Sequence, residues 1–156
     1  MCDTCYNKNT PYSRVIIESE QMFDDLVACG VVPHKTSILK PPAIDKKYFS
    51  SFILGYFDGD GSIYLTNGRS PSYTVSIVGT DEMLMFIHNF FVEQGAISRQ
   101  VSLHKRKQGQ SVSYIRYGGN KLVLKILSLL YKDIDSNIPL KRKYTLYLKC
   151  KSKIFN

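Results

Sequence analysis

The chain has 156 residues, 44% of them apolar, which is enough for one domain with a real core and argues against wholesale disorder. No apolar run reaches the length of a membrane span and the first residues lack the apolar stretch of a signal peptide, so an intracellular, reducing compartment is expected. The net charge of +8 is unevenly spread. Residues 1–98 carry 7 Lys/Arg and 11 Asp/Glu, a net of −4, whereas residues 99–156 carry 14 and 2, a net of +12. A basic half of this kind suits a polyanion, because each neutralised phosphate releases condensed counterions.

Residues 1–12 are polar and aperiodic and read as a loose leader. Cys2 and Cys5 form a C-x-x-C without a second pair at zinc-finger spacing, and Cys29 and Cys150 stand alone, so neither a metal site nor a disulfide framework is indicated. Arg14–Glu18 is a β-branched run that predicts a strand. Ser19 then opens a helix carrying Met22, Phe23, Leu26 and Val27 at helical spacing, and Gly30 stops it. Pro41-Pro42 reads as a connector. From Asp45 to about Gly59 a second helix has Phe49, Phe52, Ile53, Tyr56 and Phe57 as its apolar face, with Gly55 and Gly59 four apart within it. Glycine inside a helix costs about 1 kcal/mol relative to alanine, so the pair asks for a reason, and close approach of a second helix supplies one.

After Gly61 the period becomes alternating. Ser62–Thr66 and Tyr73–Val78 predict a hairpin around Asn67-Gly68. Thr80 or Asp81 starts a helix with the stripe Met83, Phe86, Ile87, Phe90 and Phe91, ending near Gly95. A second hairpin is expected from Ile97–His104 and Ser111–Tyr117. A helix over Asn120–Tyr131 and a last one over about Leu140–Cys150 complete the pattern. In each strand alternate residues are apolar and face the helices. The other face offers Ser62, Tyr64, Thr66, Thr74, Ser76, Gln100, Ser102 and His104: a solvated surface, or one that reads base edges in a major groove.

There is also an internal repeat. Residues 12–27 read as strand, polar turn and amphipathic helix, as do residues 113–127. Each is followed by proline and basic residues, Val32-Pro-His-Lys35 and Ile138-Pro-Leu-Lys-Arg-Lys143. Residues 1–44 are therefore expected to be a leader and the tail of a preceding copy of the unit, and residues 45–156 a complete one.

Asp58-Gly-Asp-Gly-Ser62 is the chemically loaded stretch. It is not an EF-hand loop, because position 6 would be Ile63 rather than glycine and position 12 would be Arg69 rather than an acid. Two aspartates at a helix C-terminus are electrostatically costly, which calls for a cation or another functional reason.

Ile53-Leu-Gly-Tyr-Phe-Asp-Gly-Asp-Gly61 resembles the signature of the LAGLIDADG homing endonucleases, with both aspartates and the final glycine at the right spacing. The pattern of residues 45–150 resembles that family's domain. The resemblance implies an α+β fold of αββαββα order, with a curved antiparallel sheet that binds double-stranded DNA. It implies site-specific phosphodiester hydrolysis and a role in intron or intein mobility. A family member that has lost cleavage, acting as an RNA-splicing maturase or a DNA-binding module, is the alternative. Asp60, with the Gly59 carbonyl, would bind Mg²⁺ or another divalent cation, Asp58 would be structural, and Lys141 or Lys143 would assist. Ser76 and Gly79 are the second-strand candidates for positioning water, and neither matches the family well. Gly55, Gly59, Ile53 and Tyr56 would form the helix–helix contact. Tyr64, Arg69, Ser76, Gln100, His104 and Arg116 are the candidates for DNA contact, and Lys105, Arg106 and Lys107 for phosphates. Only one acidic motif is present and a double-strand break needs two, which implies a homodimer or association with a second LAGLIDADG repeat.

Overall fold

The helical and alternating periods of the sequence translate into regular elements over most of the chain. The computed structural model describes residues 2–7, 10–31, 38–98, 100–105, 112–132 and 139–155. The Pro-His-Lys35 segment, Arg106 and Lys107 lie outside them.

The supposedly loose leader is a hairpin. Strand β1 (Cys2–Asn7) pairs antiparallel with β2 (Thr10–Val15), from Cys2 opposite Val15 to Asn7 opposite Thr10. The expected strand thus begins and ends earlier than its β-branched run suggests, because Ile16 and Ile17 fall outside it. Helix α1 (Glu20–Ala28) follows, capped by Ser19, whose hydroxyl accepts from the Met22 N–H at 3.2 Å. Gly30 ends it with φ +89°, a conformation that favours glycine.

After the connector comes a 3₁₀ turn (Lys46–Tyr48), where the Asp45 carboxylate accepts from the Lys47 N–H at 3.2 Å. It runs into α2 (Phe49–Asp60), which carries the acidic-glycine motif. Strands β3 (Gly61–Leu65) and β4 (Tyr73–Gly79) form the first hairpin. Helix α3 (Asp81–Glu93) begins at its Thr80 cap. Strands β5 (His104–Lys105) and β6 (Ser113–Gly118) form the second pairing, followed by α4 (Asn120–Leu130) and α5 (Lys141–Phe155). The four strands are antiparallel in the order β3-β4-β6-β5. One expectation is corrected here: β5 is only two residues long, and residues 100–103 are not strand.

Ile63, Val75, Ile77, Ile115 and Tyr117 point to one face of the sheet and are buried against α2, α3 and α4. α5 packs along α4 and reaches β3. Ile53 and Phe57 of α2, Met83, Leu84, Ile87 and Phe91 of α3, and Val123, Ile126 and Leu127 of α4 complete a core in which each is fully enclosed. Burial of such side chains contributes about 1.5–3 kcal/mol each.

Candidate functional site

The second face of the sheet follows from the register. Ser62 lies opposite Ser76 and Ser76 opposite Arg116; Tyr64 lies opposite Thr74; His104 lies opposite Tyr114. Since side chains alternate, Ser62, Tyr64, Ser76, Tyr114, Arg116 and His104 share this face. Tyr64, His104 and Arg116 are exposed there, whereas Ser76 is only 9% exposed. The Arg116 guanidinium sits 4.5 Å from the centre of the Tyr114 ring, and the His104 ring stacks on its centre at 5.2 Å. Tyr114 was missed by the sequence reading, although the same alternation that marks Arg116 places it two residues away on the same face.

Two DNA-contact candidates sit elsewhere. Gln100 falls outside the strands and lines a groove with Met85, His88 and Asn89 of α3. Lys105 lies opposite Ser113, on the helix-facing side of the ladder. Its ammonium is 2.9 Å from Asp81 at the start of α3. The Ser113 hydroxyl also donates to Asp81, and these bonds, Ser113's first, hold the Asp81 carboxyl below its ordinary value. Arg69 is exposed in the β3–β4 turn.

Helix α2 has two sides with different work. Ile53 and Phe57, one turn apart, are fully buried in the chain's own core. Gly55 and Gly59 lie about 200° further round at 100° per residue, on the opposite side. Ile53 therefore cannot belong to the helix–helix contact expected for it. Tyr56 is also committed within the chain: its hydroxyl donates to the Val78 carbonyl at 2.9 Å and abuts Gly79. Burial and the nearby charge of Asp60 push its pKa up to about 12. Gly55 and Gly59 are exposed, and beyond its own helix backbone a Cβ on either would meet nothing within 4 Å among the described residues. With Phe52, Tyr56 and Asp60 of α2 they line an open groove of about 430 Å³, whose other lining residues include Cys29, Gly30 and Val31 after α1 and Leu39 and Pro42 of the connector.

Asp60 is exposed at the last position of α2. Asp58 turns inward: its Oδ2 accepts from the Leu140 N–H at 3.1 Å, at the start of α5, and its Oδ1 is enclosed without a hydrogen-bond partner among the described residues. Lys143, one of the two expected assisting lysines, is 1% exposed. Its ammonium donates to the main-chain carbonyls of Phe57 and of Asp58, the latter at 3.0 Å, and lies 4.8 Å from the Phe57 ring centre. Burial, then Arg142, lowers its pKa against the opposing pull of Asp58 and Asp60. Lys141 is exposed in the first turn of α5.

Mg²⁺ is commonly held by one or two carboxylates, waters and substrate phosphates rather than by an all-protein cage. An exposed Asp60 beside an exposed Gly59 fits one arm of such a site. Among the described residues no group of three or more His, Cys, Asp or Glu could hold a metal ion. No helix among those residues is long and apolar enough to cross a membrane.

No protein-family model matches the sequence, and no curated protein does. Solved structures do match. An archaeal intron-encoded homing endonuclease, I-Vdi141I, complexed with DNA, is similar over 72% of this chain and 72% of its own length, with a TM-score of 0.53 at 16% identity. The group I intron-encoded homing endonuclease I-CeuI, also complexed with DNA, is similar over 70% of this chain with a TM-score of 0.52 at 9% identity. The chain spans about half (54%) of the latter's length.

Proposed function

We propose that this chain, whose fold is that of the LAGLIDADG homing endonucleases, acts as one half of a site-specific, metal-dependent double-stranded DNA endonuclease. The observation that carries this reading is the position of Asp60: an exposed carboxylate at the end of a helix whose glycine face is open, in the element that leads into the polar sheet. Asp60 and the Gly59 carbonyl would hold the divalent cation, which supplies activation of water and stabilisation of the leaving oxygen in phosphodiester hydrolysis.

The chain's own residues do the rest. Arg116, His104 and Tyr64 present donors, acceptors and an aromatic edge on one sheet face, where base edges are read. Stacking on Tyr114 restricts Arg116 and His104 to that face. Exposed Lys149 and Lys151 of α5, beside β3, suit phosphates, which position the duplex without specifying it. Of the two expected assisting lysines, Lys141 is the exposed one and would be the one to assist at the scissile phosphate.

The second arm comes from a partner that docks on the Gly55–Gly59 groove, either a second copy or a second repeat. Residues 2–28 support the second-repeat form. They give a hairpin and then a helix, the order of β5, β6 and α4. In α4 the apolar stripe is closed over by the sheet and α2, whereas Met22, Phe23, Leu26 and Val27 of α1 are 41–59% exposed. A helix this amphipathic gains its stability from a covered face, and the matching cover is a helix and hairpin like α2–β3–β4.

Cleavage of a deep library of duplex targets with Mg²⁺, by the wild-type chain and by Asp60→Asn, tests the proposal. Nicks or breaks at a defined site that vanish in Asp60→Asn are expected. No cleavage by either protein, alone or with a partner repeat, overturns the nuclease reading and leaves a binding module.

A further inference from the structure

The end of α2 and the start of α5 hold one another. A helix C-terminus carries a partial negative charge on its unbonded carbonyls and an N-terminus a partial positive charge on its unbonded N–H groups. Here the two ends are linked in both directions. The Lys143 ammonium of α5 donates to the carbonyls of Phe57 and Asp58 in the last turn of α2, and the Leu140 N–H at the head of α5 donates to the Asp58 carboxylate of α2. The residues involved are more than 80 apart in sequence. Lys143 is enclosed and two of its three N–H donors are spent on main chain. The neighbouring Gly61 N–H closes onto the same Phe57 carbonyl. Between these bonds lies the stretch Asp58-Gly59-Asp60, with a glycine in its middle that by itself leaves the backbone loose.

We propose that Lys143 and Asp58 are positioning residues: together they lock the 58–60 backbone to α5 and so set the direction in which Asp60 is presented. Lys143 acts from within the fold, enclosed and bonded to main-chain carbonyls of the helix end. The inference rests on the nuclease reading only for what Asp60 is presented to.

The test uses the full chain with Lys143→Met, which keeps the side-chain length and removes the donors, and Asp58→Ala, which opens the other arm. Amide hydrogen exchange is followed at Asp60 and Gly61 and, for comparison, at Val75, Ile77 and Ile115 in the sheet. Mn²⁺ affinity is titrated in parallel, with Asp60→Asn as the reference. Each variant should accelerate exchange at Asp60 and Gly61 at least tenfold more than in the sheet and weaken Asp60-dependent Mn²⁺ binding severalfold. DNA affinity without metal should not change, and Lys143→Arg should restore part of the protection. Equal acceleration throughout the sheet, or unchanged exchange at Asp60 and Gly61, overturns the clamp. Should Lys143→Met fail to fold, the Asp58→Ala comparison decides on the same criterion. If the wild-type chain binds no Mn²⁺ through Asp60, the presentation of Asp60 to a cation by this chain falls, the cleavage assay decides the nuclease reading, and the exchange data still decide whether the clamp exists.

Discussion

Replacing Gly55 by alanine should stabilise the isolated chain and weaken its association, a pairing of effects that few core glycines would show. Gly55 lies within α2, is exposed, and a methyl group added to it would meet no atom within 4 Å among the described residues beyond its own helix backbone. Nothing among the described residues therefore resists the substitution. The helix gains about 0.5–1 kcal/mol from the lower conformational freedom of alanine in the unfolded chain and its better helix propensity. For a chain of this length that is a rise in Tm of roughly 1–4 °C. Gly61→Ala in the same motif should do the opposite. Its Cβ would clash with the Phe57 ring and lie 2.5 Å from the Phe57 carbonyl oxygen, and that ring is fully buried. Overpacking of this kind costs about 1–3 kcal/mol, and backbone on one side leaves little room to yield. Thermal unfolding at low protein concentration measures both. Sedimentation at rising concentration, with and without DNA, then measures association, which Gly55→Leu should weaken at least tenfold. A loss of stability in Gly55→Ala would mean that the glycine face is already covered within the chain. Unchanged association in Gly55→Leu would remove the groove as the docking seat.

Arg116→Ala should lower affinity for a cognate duplex by about 1–3 kcal/mol and relax preference at one base position, whereas Lys151→Ala should weaken binding evenly across sequences and shallow the salt dependence; competition binding at several salt concentrations separates the two. Tyr114→Ala should reproduce part of the Arg116 effect through loss of the ring on which Arg116 and His104 rest, with sheet stability otherwise kept. His88 is buried on α3, its Nδ1 3.2 Å from the Tyr117 hydroxyl, and burial holds its pKa below the ordinary 6.5. The unfolded chain therefore takes up a proton that the folded chain refuses, so stability is full above about pH 6.5 and is lost as pH falls from there toward the depressed value. Denaturant titrations at several pH values should show that slope, and His88→Gln should flatten it; an unchanged slope would assign the acid sensitivity to other groups.

Much of this molecule could be read from the chain alone, because the governing physics is local. Helical spacing in Met83–Phe91 and Leu122–Leu130, alternation in Ser62–Leu65 and Tyr73–Val78, the Ser19 and Thr80 caps, and the acidic-glycine motif at a helix end each depend on residues a few positions apart. They sufficed to place the five helices of the described residues and the two strands of the first hairpin. The leader hairpin was not legible, since polar residues without strong alternation reveal a strand only through the partner they pair with. Nor was the brevity of β5, which strands Gln100 beside α3.

What only the tertiary structure decided is the division of labour inside the motif. Residues 53–61 present three glycines and two aspartates, and their local pattern does not say which glycine packs inside the chain or which partners hold each aspartate. Folding packs Gly61 against Phe57, leaves Gly55 and Gly59 facing an open groove, and sends Ile53 into the core. It also answers the electrostatic objection to two acids at a helix C-terminus. The cation sought there is in part Lys143, which with the N-terminus of α5 supports the inward Asp58 and leaves Asp60 exposed. Those partners come from residues more than 80 positions away, and no local pattern encodes a charge that distant contacts will neutralise.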